Sequence, residues 1–399
     1  MRERMISTSA HSLESLLKAF YAEASFDLPV PKRREFAFQH WDAPGPNDRH
    51  HHFSDFEELR RVMEHRAPKA LFASSAHYLD PGHPRIDNKG MVSSELVFDF
   101  DVGDLPSHEQ SDDFWQNMDA VATHVRRLLE ERLPELGFDT SNAFISFSGG
   151  KGFHVRFFEE ALGGMSKTAR EEIQNHVSGN ALNPMHVFGV GRKTPRSKLR
   201  PRYIPGLTGG WPGVVSACTR EYLLTIASVD DATAIAFMKA NAPIQRSGEN
   251  KGKKVTVANA TLTEIVRAIR ASPRFVEEGG IFESILKTKK NSDFVVESIL
   301  WLAKIRYGCA IDLSVTSDPR KLLRVPGSIH GKTGLPCIVL SRDELNCESI
   351  KRKIAERVGE DEVNICLKHP VRTPFGTFES EVTLPRYQAL AALCAEKQG

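Results

Sequence analysis

Two aspartates sit inside an otherwise apolar stretch, SSELVFDFDVGD at residues 93–104. Alternation along a strand sends Leu96, Phe98 and Phe100 to one face and Val97, Asp99 and Asp101 to the other. The two carboxylates then point the same way, roughly 7 Å apart by the rise of a strand. Like charges that close need a cation or a shared proton, and an unpaired buried carboxylate is costly. Paired oxygens on one face suit a hard divalent ion that keeps some of its water. An edge strand facing solvent, or aspartates paired with arginine, is the plainer alternative.

The segment CAIDLSVTSD (309–318) repeats the pattern. Read as a strand, it turns Ile311, Leu313 and Val315 one way and Asp312, Ser314 and Thr316 the other. Laid beside the first strand, Asp312 becomes a third carboxylate, and three carboxylates can hold two metals for in-line displacement at phosphorus. FSGGKGFHVRF (147–157) reads as strand, glycine turn and strand. Gly149, Gly150 and Gly152 let backbone N–H groups approach an anion, with Ser148, Lys151 and His154 at fixed offsets. It is not a Walker loop, since no helix opening with K-[ST] follows. RKLLRVPGSIHGKTG (320–334) adds Arg324, His330 and Lys332 around a Pro-Gly turn, a plausible clamp for nucleotide charge. Glu35, in RREFAFQHW, and Arg49, before three consecutive histidines at 50–52, stand near the start. Neighbouring strand residues face opposite ways, so the histidines read as solvated rather than as a metal site. Arg192, Lys193, Arg196, Lys198, Arg200 and Arg202 crowd into GRKTPRSKLRPR, a density that suits a phosphate backbone.

These residues must be positioned by strands at the two ends of a core. Helical patterns are predicted over 56–66 and 112–133, the second with Met118, Val121, Val125, Leu128 and Leu129 as its stripe. Ser111, Asp112 and Asp113 supply its cap and dipole partners. Strands are expected at AFISFS, FHVRFF, CAIDLSVT and CIVLS, and helices over 166–176, 230–241, 260–271 and 293–305, with two more helical patterns at the end. Glycine and proline at 201–213 and small or basic residues at 246–254 read as loops. The expected domains are a catalytic core from 1–160 and 300–399 and a helix-rich insertion from 161–299 carrying the basic loop.

At 399 residues with a net charge of +2, the chain has room for two domains and no global charge that announces nucleic acid. No apolar run reaches the length of a membrane span, and the start reads as an amphipathic helix without a leader. The six cysteines (218, 309, 337, 347, 366 and 394) form no C-x-x-C pair, as expected of free thiols in a reducing cytosol.

REFAF, ELVFDFDV, SFSGGKGFHV, DLSVTSDPRKLLRVPGSIHGKTGL and the closing LPRYQALAALC together resemble, in order, the small catalytic subunit of archaeal DNA primase, in the archaeo-eukaryotic primase superfamily. The resemblance implies a mixed-sheet α/β (α+β) core with a helical subdomain, and template-directed synthesis of short primers on single-stranded DNA from NTPs or dNTPs. It implies catalytic metals, Mg²⁺ or Mn²⁺, on Asp99, Asp101 and Asp312, and a triphosphate held by Ser148, Gly149, Gly150, Lys151, Gly152, His154, Arg324 and His330. Glu35, also taken as catalytic, and Arg49 would sit near the incoming nucleotide or primer end. The implied partner is a large iron–sulfur subunit in a heterodimer, and the implied setting the cytoplasm of an archaeal-type cell. Two departures stand out. The family commonly carries arginines where Gly150 and Lys151 stand here. Many relatives also have a Cys/His zinc knuckle where this chain reads GDLPSHEQSDDFWQ, so no structural zinc is expected. A primer-extending polymerase of the same superfamily, or a scaffold that binds nucleic acid without chemistry, is the alternative.

Overall fold

The computed structural model describes residues 10–188, 209–244, 253–286 and 288–398. Two compact units divide the chain: Met1–Gln174 with Ala310–Gly399, and Asn175–Cys309. The basic run from Arg192 to Arg202 lies outside the described residues.

The first unit is built on two four-stranded antiparallel sheets. One runs in the order Asp48–His51, Phe36–Gln39, Ala70–Ser74, Leu322–Arg324. The other runs Ile338–Leu340, Phe144–Phe147, Gly152–Phe157, Leu96–Asp101. In the second sheet Phe98 and Phe100 are fully buried, while Val97 packs with Val315 and Leu323 on the aspartate side. Alternation therefore places side chains on this strand as its sequence demands. Helix Phe114–Arg127 covers the sheet with Met118, Val121, Ala122 and Val125, all fully buried. The Asp113 carboxylate accepts from the Gln116 amide and fixes where that helix starts.

Three elements differ from the sequence reading. CAIDLSVT is not a strand: Asp312 caps a short helix, Leu313–Ser317, by accepting from the Ser314 amide at 2.8 Å. An Asx contact two residues on offers the backbone an alternative to a ladder, and here it wins over the apolar–polar alternation. The Gly-Pro stretch at 201–213 already contains the start of helix Gly210–Ser228, where Trp211 and Val215 are buried. Between the last two helices, Cys347–Val358 and Arg386–Glu396, come two antiparallel pairs: Glu362–Cys366 with Glu381–Pro385, and hairpin Val371–Thr373 with Gly376–Phe378.

The second unit is helical throughout its described residues, apart from one bridge between Ile244 and Lys254. Helices Gly210–Ser228, Asp231–Ala240, Asn259–Arg270 and Lys289–Tyr307 share a core that includes Tyr222, Ile226, Ile265, Ile269, Val295 and Ile299. Among the described residues no helix is long and apolar enough to cross a membrane.

Candidate active site

Asp99 and Asp101 lie on one face at the end of their strand, register-paired with His154 and Gly152. Asp312 reaches the same place from the other end of the sequence. Its amide donates to the Asp99 carbonyl at 2.9 Å, and its short helix packs on the Asp99 strand. Burial, followed by the charges of Asp312 and Asp101, pushes the Asp99 carboxyl up to about 7. Asp104 feels the same field and is raised to about 6 by burial, then Asp312 and Asp101. Asp101 and Asp312 each accept from a backbone amide through one oxygen, of Gly103 and Ser314 respectively, and no bond to the other oxygen is seen among the described residues. Among the described residues no three His, Cys, Asp or Glu side chains enclose a metal by themselves. The carboxylates still repel one another without a cation between them, and an ion that retains water or takes phosphate oxygens needs only part of its shell from protein. The donor set fits a hard divalent ion in that sense.

A cleft of about 500 Å³ opens beside these carboxylates, lined by Asp99, Asp101, Ser148, Gly150, Lys151, His154, Arg324 and His330. Of the positions expected to hold nucleotide, only Gly149, Gly152 and Arg49 are not on its wall. Gly149 takes φ +75°, a left-handed turn that favours glycine, and its missing Cβ leaves room for the Leu335 carbonyl. The imidazole of His330 fills the space a side chain at Gly150 would need.

Arg324 brings the other sheet to the site. Its guanidinium lies 4.9 Å from the centre of the Phe72 ring, and Nη1 is buried without a hydrogen-bond partner among the described residues. Burial lowers its pKa to about 10, which leaves it charged at neutral pH. A buried guanidinium nitrogen with no hydrogen-bond partner among the described residues, beside carboxylates, is a place for a phosphate oxygen. Burial, with Arg156 and Arg324 nearby, drives His154 well below the usual imidazole range, so its approach to Asp99 at 3.6 Å is a contact of a neutral ring. His330 is held at about 2 by burial, then Arg324 and Lys332, and is neutral as well. Neutral imidazoles donate one N–H without adding charge.

Sequence reasoning missed the parts that hold these groups. Thr333 donates to the Gly149 carbonyl at 2.5 Å and stands 3.2 Å from His330 Nδ1, tying the two phosphate-side loops together. Arg156 follows His154 by two, so alternation alone could have placed it on the same face. It bonds the buried Glu95 at 3.1 Å and the Arg324 carbonyl at 3.4 Å. Glu95 also pairs with Arg34, whose Nη1 donates to the Ser74 carbonyl at 2.7 Å. One buried carboxylate and two guanidinia thus link the sheets that carry Asp99 and Arg324.

Glu35 and Arg49 form a neighbouring cluster outside the cleft. Glu35 is 1% exposed and meets Arg49 Nε at 2.9 Å, His50 Nδ1 at 3.3 Å and Lys89 Nζ at 3.5 Å. Arg49 and His50 reach the same carboxylate although adjacent, because His50 adopts φ +70° at a break in the strand register. Strict alternation fails there, and His50 is less solvated than expected. The segment 105–111 is tied to helix Phe114–Arg127 by Glu109 on His124 at 2.8 Å and by Asn117 on the Ser111 backbone.

Carboxylates on one side and anion donors on the other, in a cleft of a mixed α/β core, are the groups that phosphoryl chemistry on a nucleotide requires. The family model described as DNA primase small subunit matches residues 98–341. DNA primase small subunit PriS of Methanothrix thermoacetophila is 26% identical, covering 98% of this chain and 98% of its own length. The PriS of Haloarcula marismortui is 30% identical over 82% of this chain and 80% of its own, and that of Natronomonas pharaonis 26% over 94% and 93%. The chain belongs to the DNA primase small-subunit family.

Proposed function

We propose that this primase subunit joins nucleoside triphosphates into short primers on single-stranded DNA, as a nucleotidyltransferase releasing pyrophosphate. The observation that carries the reading is the cleft lined by Asp99, Asp101, the glycine turn and Arg324, with Asp312 held against Asp99 behind it and Arg324 Nη1 without a hydrogen-bond partner among the described residues. Asp99, Asp101 and Asp312 would hold two divalent ions, Mg²⁺ or Mn²⁺. Those ions supply charge neutralisation at the reacting phosphate and a lower pKa for the attacking hydroxyl. Arg324, Lys151 and the turn's amides bind and orient the triphosphate, and His154 and His330 each offer an N–H to its oxygens. Ser148 anchors the turn by accepting from the Gly150 amide at 3.2 Å. Glu35, held by Arg49 outside the cleft, shares by pairing register the sheet face of Phe72 and Arg324 and would support that face from beside it. The proposal includes DNA contact by the basic run Arg192–Arg202, an inserted helix-rich subdomain and a large iron–sulfur subunit as partner in the cytoplasm.

The test is synthesis on an unprimed single-stranded template with labelled NTPs or dNTPs and Mg²⁺ or Mn²⁺. Wild-type protein is expected to make metal-dependent products, and Asp101→Ala to make none while melting normally. Full activity in the variant would sink the metal assignment. Extension of a supplied primer without initiation would favour the polymerase reading.

A further inference from the structure

Lys151, Lys332 and Thr333 line the catalytic cleft and also a second one of about 390 Å³, so the two spaces adjoin at these three side chains. The far wall of the second is hairpin Val371–Thr373/Gly376–Phe378, which presents Arg372 and Thr373. The near wall is the start of helix Phe114–Arg127, which presents the half-buried ring of Phe114. Trp115 holds the walls at a fixed separation. Its Nε1 donates to the Pro374 carbonyl at 2.7 Å, and its ring lies 5.7 Å from Phe375, which in turn packs edge-on to Tyr387 at 5.0 Å. Arg372, Lys151 and Lys332 are exposed, and among the described residues none has a carboxylate in ion-pair range.

We infer that this second cleft is the path of a nucleic-acid strand into the catalytic cleft, with Arg372, Lys332 and Lys151 on its phosphates and Phe114 stacked on a base. The inference rests on the functional reading above. Charge distribution selects a strand over a second free polyphosphate. Asp112 and Asp113 also line the space, and a dense triphosphate would meet both carboxylates. A strand carries one charge per nucleotide and follows the cations, leaving its bases to the aromatic wall.

Titration of a fluorescein-labelled dT 20-mer by anisotropy, beside a fluorescent ATP analogue, tests it on the full chain. Arg372→Glu and Phe114→Leu are expected to weaken dT binding about fivefold or more. Arg372→Glu should also flatten the dependence of log affinity on log salt by about 0.7. Nucleotide affinity should be unchanged in both. Arg372 is exposed, so its variant keeps the test open should Phe114→Leu fold poorly. Unaltered dT affinity and salt slope in both variants would overturn the inference, as would loss of nucleotide affinity alone. A wild-type chain that binds ATP but not dT overturns this inference by itself. One that binds neither overturns the functional reading beneath it.

Discussion

Two glycines in one turn do different work. A Cβ on Gly152 would lie 1.6 Å from the Phe100 carbonyl, inside the pairing that sets Asp101 in place. A Cβ on Gly150 would lie 2.9 Å from His330 Nε2, the far end of a side chain. Gly152→Ala is expected to cost about 3 kcal/mol or more, because backbone must move. Gly150→Ala should stay within about 1 kcal/mol in stability. Its displaced imidazole should weaken triphosphate binding about tenfold, or about 1.4 kcal/mol. Urea unfolding and nucleotide titration of both variants separate the two roles, and equal stability losses would refute the distinction.

Strands and helices meet the site through buried polar joints as well as apolar faces. Glu95, Arg34 and Arg156 are each almost wholly buried, and Arg170 donates to the Glu95 carbonyl at 2.7 Å. Removing the single carboxylate strands two guanidinia in a low dielectric, so Glu95→Gln is expected to destabilise by about 3–5 kcal/mol. Because Arg156 also bonds the Arg324 carbonyl, any variant fraction that folds should bind nucleotide less tightly. A denaturation midpoint equal to wild type would refute the joint. The helix at 313–317 makes a related point. Its cap carboxylate is Asp312 itself, so one side chain both ends the extended segment and joins the acidic cluster.

Acid should loosen the whole molecule through histidines that are neutral when folded. His77 is depressed to about 4 by burial, followed by the charge of Arg34, against some pull from Glu95. In the unfolded chain it titrates near 6.5. Protonation therefore favours unfolding. Its contribution is complete above about pH 6.5 and is lost as pH falls through about 4, up to about 3 kcal/mol. His330, held at about 2, acts in the same direction. Urea midpoints at about pH 7.5 and about pH 4.5 should differ in wild type, and His77→Gln should narrow the difference. An unchanged difference would refute the assignment to His77.

Much of the site was legible because its signals are local. Period-two alternation put Asp99 and Asp101 on one face, glycines marked the turn before His154, and apolar stripes marked helices such as Phe114–Arg127. Motif order pointed to the family by itself. The alternation rule failed where a side chain bonded its own backbone, at Asp312, and where a left-handed residue broke the register, at His50. Short strands after residue 361 gave too few alternating positions to distinguish from loop or helix. Tertiary structure alone decided that Arg324 of one sheet faces Asp99 of the other, that Arg156 and Glu95 join them, and that a second cleft adjoins the first. Those are encounters between residues far apart in the chain. They depend on sheet register and on burial of charges, which no local window of sequence encodes.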